Sequence, residues 1–279
     1  MTRSLLAVLG DGLLDPDTPV LRADDAGLTR GDGCFEGCRV RDGVVDKLEA
    51  HLARMARSAL ALGIDFDPQP WRELVASAVA AWPAAGEAAM RLVLTRGPAN
   101  GASPTGLLTI SPLPEAYPRQ RRNGIRAVTL CRGTASDAYQ DAPWLLGGVK
   151  TLSYAVNMAA QREAIRRGAE DVIFVSSDGR VLEAPTSSVL WWAEDTLHTT
   201  PTGASGILGG TTQQLLFDRA ADAGWRTATS PVQVRELHRA GSLWLLGTVR
   251  GPVDVVELDG RPRGRDLART AQVRALCGF

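Results

Sequence analysis

A run of prolines and basic residues near the middle of the chain separates two stretches that each alternate between strand and helix patterns. Residues 112–124 (PLPEAYPRQRRNG) contain three prolines and show no apolar periodicity. Stretches of this kind are typical of boundaries between domains. The sequence therefore predicts a smaller N-terminal α/β domain over residues 1–114, a linker over 115–124 and a larger C-terminal domain over 125–279.

Apolar patterning predicts the elements on each side of this break. Asp42-Gly43 between two apolar runs predicts a tight hairpin, which places Lys47 in the second hairpin strand. The helix that follows ends at Gly63. The predicted strands are 4–9, 34–41, 44–48, 90–95, 106–111, 125–131, 171–176, 180–183, 188–192 and 243–246. The predicted helices are 49–62, 71–82, 152–167, 211–223 and 232–240. This alternation predicts an α/β (α+β) fold.

Composition and charge argue against several classes of partner. The formal net charge is zero and the arginines form no long block, so a nucleic-acid partner is not expected. No run approaches the roughly 20 apolar residues that a membrane span needs, and the apolar stretch 5–9 is too short for a signal peptide. We therefore expect a cytoplasmic protein with no membrane partner. The four cysteines show no metal-ligand spacing, so no metal site is expected.

Lysine is scarce in this chain. Of 31 basic residues, two are lysines, Lys47 and Lys150. Arginine replaces lysine as a surface cation but not as an amine nucleophile, because its guanidinium stays protonated. Lys150 follows Gly147-Gly148 and apolar residues that would desolvate its amine, and a predicted helix begins just after it. We interpret Lys150 as a candidate nucleophile, and the alternative is a surface lysine at a helix start.

Two further segments and one arginine are candidate binding groups. Glu183 ends a predicted strand, where a solvated carboxylate is the alternative. Residues 206–213 (GILGGTTQ) run into a helix whose first N–H groups and dipole suit a phosphate dianion. Arg54, on an earlier helix, would add a charge-assisted contact to that phosphate. An ordinary glycine-rich helix cap explains residues 206–213 equally well, and a phosphate-binding protein without covalent chemistry is the alternative function.

Six motifs occur in the order seen in one enzyme family. They are RGDGCFEG (30–37), HLAR (51–54), the lysine at 150 before a helix, LE (182–183) with SS (187–188), GILGGTT (206–212) and LGT (246–248). This ordered set resembles the fold-type IV pyridoxal-phosphate enzymes, which comprise branched-chain aminotransferases, D-amino acid aminotransferases and aminodeoxychorismate lyases. The resemblance covers nearly the whole chain. It implies two α/β domains with pyridoxal 5'-phosphate in the interdomain cleft, and a homodimer.

The resemblance also implies roles around the reacting part of the cofactor. Lys150 corresponds to the lysine that holds the cofactor covalently and, once released, removes a proton from the amine-bearing carbon of the substrate. Glu183 corresponds to the carboxylate that keeps the pyridine nitrogen protonated. Tyr154 is similar to a tyrosine beside the phenolic oxygen of the cofactor, although branched-chain enzymes carry it one residue further from the lysine.

Other residues correspond to binding groups for phosphate and substrate. Arg54 matches the arginine of the family that binds the cofactor phosphate, and Thr211 with Thr212 matches its phosphate-binding turn. Gly247, Thr248 and Val249 match the segment with the Gly-Thr pair of the family, which lies near the phosphate and the substrate carboxylate. These assignments are implied by the resemblance and complete the predicted cofactor site.

Substrate motifs favour one member of the family. The strings GDGCF (31–35) and RVRDG (39–43) are more similar to the lyases, and the Arg-x-His carboxylate trap of the D-amino acid enzymes is absent after Thr95-Arg96-Gly97. Against this, FEG (35–37) also resembles the branched-chain pattern, and Ser153 replaces an asparagine of many lyases. We predict a 4-amino-4-deoxychorismate lyase of the folate pathway, with an aminotransferase of branched-chain or D-amino acids as the alternative. Arg39 is the predicted contact for a substrate carboxylate.

Overall fold

The structure is a computed structural model that describes residues 4–83, 85–101 and 103–279. The chain forms two compact units. The first contains the residues up to Pro114 together with Val149–Tyr154, and the second contains Glu115–Gly148 and Ala155–Phe279. Within the described ranges, no helix is both long and apolar enough to cross a membrane.

The first unit is built on one antiparallel sheet. Its elements are β1 (Leu5–Val8), β2 (Gly12–Leu14), α1 (Ala26–Arg30), β3 (Gly33–Arg41), β4 (Val44–Val45), α2 (Leu48–Leu62), α3 (Pro68–Ala81), β5 (Glu87–Thr95) and β6 (Thr105–Pro112). The six strands lie in the order β2-β1-β6-β5-β3-β4. Helices α2 and α3 supply buried apolar side chains to the same core as the sheet. The largest buried members of this core are Trp71, Leu52, Met55, Met90, Leu92, Leu108 and Ile110.

Local signals explain where these elements begin and end. Asp42 and Gly43 both have positive φ, 48° and 77°, as a two-residue hairpin turn of the primed type requires. Helix α2 ends at Gly63, whose φ of 63° lets its N–H bond the carbonyls of Ala59 and Leu60. Helix α3 begins after Asp67, whose side chain accepts a hydrogen bond from the N–H of Gln69.

The second unit is built on a mixed sheet. Its elements are α4 (Ala116–Asn123), β7 (Ile125–Cys131), a short 3-10 turn (Pro143–Leu145), α5 (Ala155–Arg166), β8 (Asp171–Val175), β9 (Ser188–Ala193), β10 (Thr196–Thr199), α6 (Thr211–Asp222), β11 (Arg226–Thr229), α7 (Val234–Arg239), β12 (Ser242–Gly247), β13 (Gly251–Leu258), β14 (Arg261–Pro262) and α8 (Leu267–Cys277). The strands lie in the order β11-β10-β9-β12-β13-β7-β8, and β14 pairs with β13. Leu216 and Ala220 of α6 and Val273 of α8 pack against Trp244 of β12.

Several features differ from the sequence prediction, and three of them concern the predicted linker and the two lysines. Residues predicted as a linker, 115–124, instead form helix α4, whose Arg121 donates hydrogen bonds to the carbonyls of Val249 and Arg250. Lys150 and its neighbours cluster with the first unit, not with the larger C-terminal domain. Lys47 lies outside the hairpin strand, because β4 is short, and it precedes α2 in a left-handed conformation with φ of 55°. The mixed helix and strand composition is as predicted.

Candidate active site

The segment that carries Lys150 pairs with the beginning of strand β3. Phe35 donates its N–H to the carbonyl of Lys150 at 3.0 Å, and Leu152 donates its N–H to the carbonyl of Gly33 at 2.9 Å. Lys150 in turn donates its N–H to the hydroxyl of Ser58 on α2 at 3.2 Å. A Cβ at Gly33 would collide with the backbone carbonyl oxygen of Leu94 on β5 and would lie 2.7 Å from the side chain of Leu152, so only glycine fits here. The backbone of the lysine is therefore fixed within the first unit.

Aromatic rings surround the amine of Lys150. Its Nζ lies 4.5 Å from the ring centroid of Phe35 and 3.4 Å from the hydroxyl oxygen of Tyr154. The two rings meet edge to face, with centroids 5.0 Å apart. Ring faces attract the charged amine, and the phenolic oxygen can accept a hydrogen bond from it. The structure therefore places the hydroxyl of Tyr154, which lies four residues further along the chain, beside the amine of Lys150.

Arg54 is held by a buried carboxylate. Its Nε and Nη2 donate to the two oxygens of Glu36, both at 2.7 Å, and Nδ1 of His51 contacts the same carboxylate at 2.7 Å. Glu36 and His51 are fully buried. Burial alone would raise the pKa of Glu36, but the hydrogen bonds from Arg54 and His51 hold it at about 2. Glu36 is therefore ionised, and Nδ1 of His51 carries the proton that it donates.

This Glu36–His51–Arg54 cluster was missed by the sequence analysis. His51 and Arg54 are three residues apart on α2 and so share one helix face. The string FEG at 35–37 places Glu36 on β3. The sequence shows that His51 and Arg54 share a helix face and that Glu36 lies on a strand. It does not show that the three side chains meet, because that contact depends on the packing of α2 against β3. Bidentate pairing fixes the plane of the guanidinium, as an arginine that binds a phosphate at a defined position requires.

Arg39, the predicted substrate contact, is engaged elsewhere. Its guanidinium is 2% exposed and pairs with Asp46 and Glu87, with Nε 2.6 Å from Oδ2 of Asp46 and Nη1 2.9 Å from Oε1 of Glu87. Arginines of this kind hold strands together and have little contact with solvent. This geometry favours a structural role for Arg39 over the predicted contact with a substrate carboxylate.

Arg91 is a second functional candidate that the sequence analysis missed. It lies on β5 opposite Gly37 of β3, and its side chain is exposed. The guanidinium carbon lies 5.2 Å from the ring centroid of Phe35, the same ring that Lys150 Nζ approaches. Because Gly37 has no side chain, the space beside Arg91 on strand β3 is not filled at this position. Arg91 is therefore an exposed cation one aromatic ring away from the candidate nucleophile.

In the second unit, Glu183 is fixed by backbone contacts. The N–H of Leu208 donates to Oε2 of Glu183 at 3.1 Å, and the carbonyl of Glu183 accepts from the N–H of Phe174 at 2.8 Å. In place of the predicted regular strand 180–183, Val181 forms an isolated bridge with Val175 of β8 and Arg180 forms one with Gln233. The carboxylate is half-buried and oriented by the loop that precedes α6.

The glycine-rich segment before α6 is closely packed. Gly206 has φ of 70° and accepts a hydrogen bond from the N–H of Gly148 at 2.9 Å, and an added Cβ would lie 2.3 Å from the ring of Tyr139. Gly210 is the N-cap residue of α6 and has no side chain to cap the first turn. The first-turn N–H groups and the positive end of the dipole suit an anion, and the phosphate site predicted here stays a prediction.

Three threonine hydroxyls meet at this helix start. Oγ1 of Thr248 lies 2.9 Å from Oγ1 of Thr212 and 3.3 Å from Oγ1 of Thr211. Thr248 comes from the turn between β12 and β13, and Val249 follows it in the same turn. The second unit therefore brings together three of its predicted phosphate-binding residues. Hydroxyl groups at a helix N-terminus are suitable donors to a phosphate.

Comparison with known families identifies the chain. The model for amino-transferase class IV matches residues 33–258. This chain belongs to the class IV aminotransferase family. The resemblance that the ordered motifs indicated is confirmed.

Individual relatives agree with this assignment. The chain is 41% identical over 266 residues to the bifunctional aminodeoxychorismate lyase / D-amino acid transaminase of Mycobacterium tuberculosis, covering 92% of each chain. A hypothetical aminotransferase from Mycobacterium tuberculosis, solved in a PLP-bound form, is 40% identical with a TM-score of 0.95, covering 99% of this chain and 97% of that chain. It was also solved with alpha-ketoglutarate and PMP bound.

A fold IV-transaminase from Curtobacterium pusillum is 42% identical with a TM-score of 0.93, covering 99% of this chain and all of that chain. With TM-scores of this size, these structures have the same fold as this chain. The predicted fold-type IV architecture is therefore confirmed.

Proposed function

We propose that this protein is a pyridoxal-phosphate-dependent 4-amino-4-deoxychorismate lyase, which releases pyruvate and leaves 4-aminobenzoate. One structural observation supports the lyase over a D-amino acid transaminase. After β5, where the D-amino acid enzymes carry an Arg-x-His trap, this chain has Pro98, which forms a bridge with Asp25. Arg96 is held by Asp32 at 2.6 Å and by the carbonyl of Leu62 at 2.6 Å. Aminodeoxychorismate has no carboxylate on its amine-bearing carbon, so its recognition needs no such trap.

The cofactor is pyridoxal phosphate, and the residues of each unit fit it. The first unit supplies an amine beside aromatic rings, Lys150, and a fixed guanidinium, Arg54. The second unit supplies a carboxylate, Glu183, and a helix start with threonine hydroxyls. When bound, the cofactor supplies an electron sink for the carbanion formed at the substrate carbon. That both sets of residues contact one cofactor is part of this proposal.

Each residue would perform a separate task. Nζ of Lys150 accepts the proton from the amine-bearing carbon, and the hydroxyl of Tyr154 orients that amine. The carboxylate of Glu183 holds a proton on the pyridine nitrogen. Arg54 and the first N–H groups of α6 bind the phosphate, with Thr211, Thr212 and Thr248 beside them.

The lyase reaction balances without a co-substrate. The bond between the neighbouring ring carbon and the enolpyruvyl oxygen breaks after the proton has left the amine-bearing carbon. The released enolpyruvate takes up a proton and becomes pyruvate, and the ring becomes aromatic. No oxidant and no oxo-acid acceptor are consumed, which gives a direct way to separate the lyase from a transaminase.

The test supplies aminodeoxychorismate to the cofactor-loaded protein with no oxo acid and measures 4-aminobenzoate. We expect catalytic turnover in this assay, with equal amounts of pyruvate and 4-aminobenzoate. Formation of neither product, together with turnover of D-alanine and 2-oxoglutarate, would replace the lyase by a transaminase.

D-amino acid transamination is the second candidate function. It is supported by the name of the 41% identical relative and by the alpha-ketoglutarate and PMP bound form of a second similar structure. Turnover in both assays would make the protein bifunctional. The homodimer and the cytoplasmic location stay predictions from the sequence.

Arg91 is proposed to bind a carboxylate of the substrate in place of Arg39. We expect Arg91→Ala to raise the KM for aminodeoxychorismate about tenfold or more, because it removes an exposed guanidinium that lies near the same Phe35 ring as the amine of Lys150. Steady-state kinetics at saturating cofactor measures this change. Arg39→Ala is the comparison: its loss should lower the free energy of unfolding by about 2 kcal/mol and leave KM within about twofold. A raised KM in Arg39→Ala, together with an unchanged KM in Arg91→Ala, would restore Arg39 as the substrate contact.

A further inference from the structure

Helix α4 makes hydrogen bonds to the turn between β12 and β13. Arg121 of this helix donates from Nε to the carbonyl of Arg250 at 2.6 Å and from Nη2 to the carbonyl of Val249 at 2.8 Å. Both bonds come from one rigid guanidinium, so the two successive carbonyls are oriented together. On the other side of the turn, the hydroxyl of Thr248 meets Thr212 at 2.9 Å.

The guanidinium of Arg121 is itself held in place. It lies 4.8 Å from the ring centroid of Phe279. That ring also packs on Gly251, where an added Cβ would come within 2.6 Å of it, and Gly251 has φ of 78°. Arg274 donates a hydrogen bond to the carbonyl of Arg121. The C-terminal residues thus hold the arginine that contacts the turn.

The side chain of Arg250 holds the same turn at a third point. Its Nη2 lies 2.7 Å from Oδ2 of Asp171 and donates to the hydroxyl of Ser187 at 3.0 Å. All three side chains are buried. Breaking a buried pair of this kind is strongly destabilising, so Arg250 anchors the turn to the unit. Arg121 contacts the turn through the backbone carbonyls of Val249 and Arg250.

We propose that Arg121 is a positioning residue for substrate binding, which acts by fixing the 248–250 turn. The inference rests on the proposed function, in which Thr248 and Val249 lie at the phosphate and the substrate carboxylate. In a planar trans peptide the carbonyl and the following N–H point in opposite directions, so fixing the carbonyls of Val249 and Arg250 also fixes the N–H groups after them. A turn that is already ordered binds its ligand without a further ordering cost.

The experiment compares Arg121→Ala with Arg122→Ala, the exposed arginine next to it on the same helix. Steady-state kinetics uses aminodeoxychorismate, or D-alanine with 2-oxoglutarate if only the transaminase is active. We expect Arg121→Ala to raise KM about tenfold while kcat stays within about threefold, because the loosened turn binds substrate poorly but the base is untouched. Arg122→Ala should behave as wild type.

A conservative variant separates positioning from stability. Lysine at this position can donate to one of the two carbonyls, so Arg121→Lys should give a KM between those of wild type and Arg121→Ala. If Arg121→Ala fails to fold, Arg121→Lys alone should still raise KM above that of wild type while kcat stays within about threefold. Thermal melting and the visible absorbance of the bound cofactor are recorded for every variant.

Two results would overturn the inference. In the first, wild type turns over substrate and the Arg121 variants that fold keep the wild-type KM. Arg121 then has only a structural role, whatever the effect of the variants on the melting temperature. If wild type turns over neither substrate pair, the proposed function fails and the inference fails with it. The wild-type assay alone distinguishes these cases.

Discussion

Replacing Lys150 by alanine should lower turnover by about 10⁴-fold or more, because the chain loses both the covalent link to the cofactor and the base that removes the substrate proton. The visible absorbance that the lysine-bound cofactor gives to the protein should disappear. Absorbance spectra with added pyridoxal phosphate and single-turnover kinetics measure the two effects. Lys150→Arg should be equally inactive, since a guanidinium cannot act as the nucleophile.

The chain supplies its own control for this experiment. Lys47 is the other lysine, and it precedes α2 in the first unit. Lys47→Ala should keep the absorbance and the turnover of wild type. Equal loss in both variants, or retention of the absorbance in Lys150→Ala, would move the cofactor away from Lys150 and remove the central residue of the proposed mechanism.

Replacing Glu36 by alanine should lower the free energy of unfolding by about 3–5 kcal/mol, because Arg54 would be left as a buried charge without its carboxylate. Chemical denaturation of the cofactor-free protein measures the loss. Glu49→Ala is the matched control, since Glu49 makes a similar bidentate pair with Arg72 at 2.8 and 2.9 Å on the surface. That exposed pair should matter little. Comparable losses in the two variants would contradict the role given to burial.

The same cluster predicts how acid acts on the protein. The pKa of Glu36 is depressed from 4.5 to about 2, so its stabilising contribution is present above pH 4.5 and is lost as the pH falls toward 2. Burial lowers the pKa of His51 below 6.5, although Glu36 opposes this, so protons favour the unfolded chain as the pH falls below 6.5. Both effects lower stability on acidification. Chemical denaturation of the wild type from pH 7 to 3 measures this loss.

Elements with clear local signals were predicted closely. Helix α2 was predicted over 49–62 and spans Leu48–Leu62, because its apolar spacing is regular and Gly63 ends it. Strand β13 and helix α8 were missed. The strand begins with Gly251-Pro252, a pair typical of turns, and α8 has a weak apolar face interrupted by arginines. Tertiary packing stabilises both, and sequence patterns show little of it.

The helix after Lys150 shows the same limit. It was predicted to begin at residue 152 but begins at Ala155, because Leu152 pairs with Gly33 and extends the backbone before the helix. Helix α4 contains Pro118 and three arginines, so its sequence resembled a linker. The carbonyls that accept hydrogen bonds from its Arg121 belong to residues more than 120 positions further along the chain. Contacts over such separations leave no periodic signal.

Candidate site residues could be selected from the sequence where a proposed role depends on residue type and order. The scarcity of lysine selected Lys150, and Tyr154 does lie beside it. Arg39 and Arg91 could not be told apart in the same way, because both are arginines on neighbouring strands. Only their surroundings separate them: Arg39 faces Asp46 and Glu87, and Arg91 lies over Phe35. The roles of all these residues in the reaction stay predictions.

The first unit is discontinuous in sequence, since Val149–Tyr154 join the sheet residues that end at Pro114. During synthesis, a nascent chain that has emerged as far as Gly148 already contains all six strands of that sheet but not the backbone that pairs with Gly33 and Phe35. A fragment cut at the end of β6 would therefore lack part of its own unit. In the proposed mechanism, the segment that carries Lys150 can complete the first unit and bind an aldehyde only after the intervening 34 residues have been made.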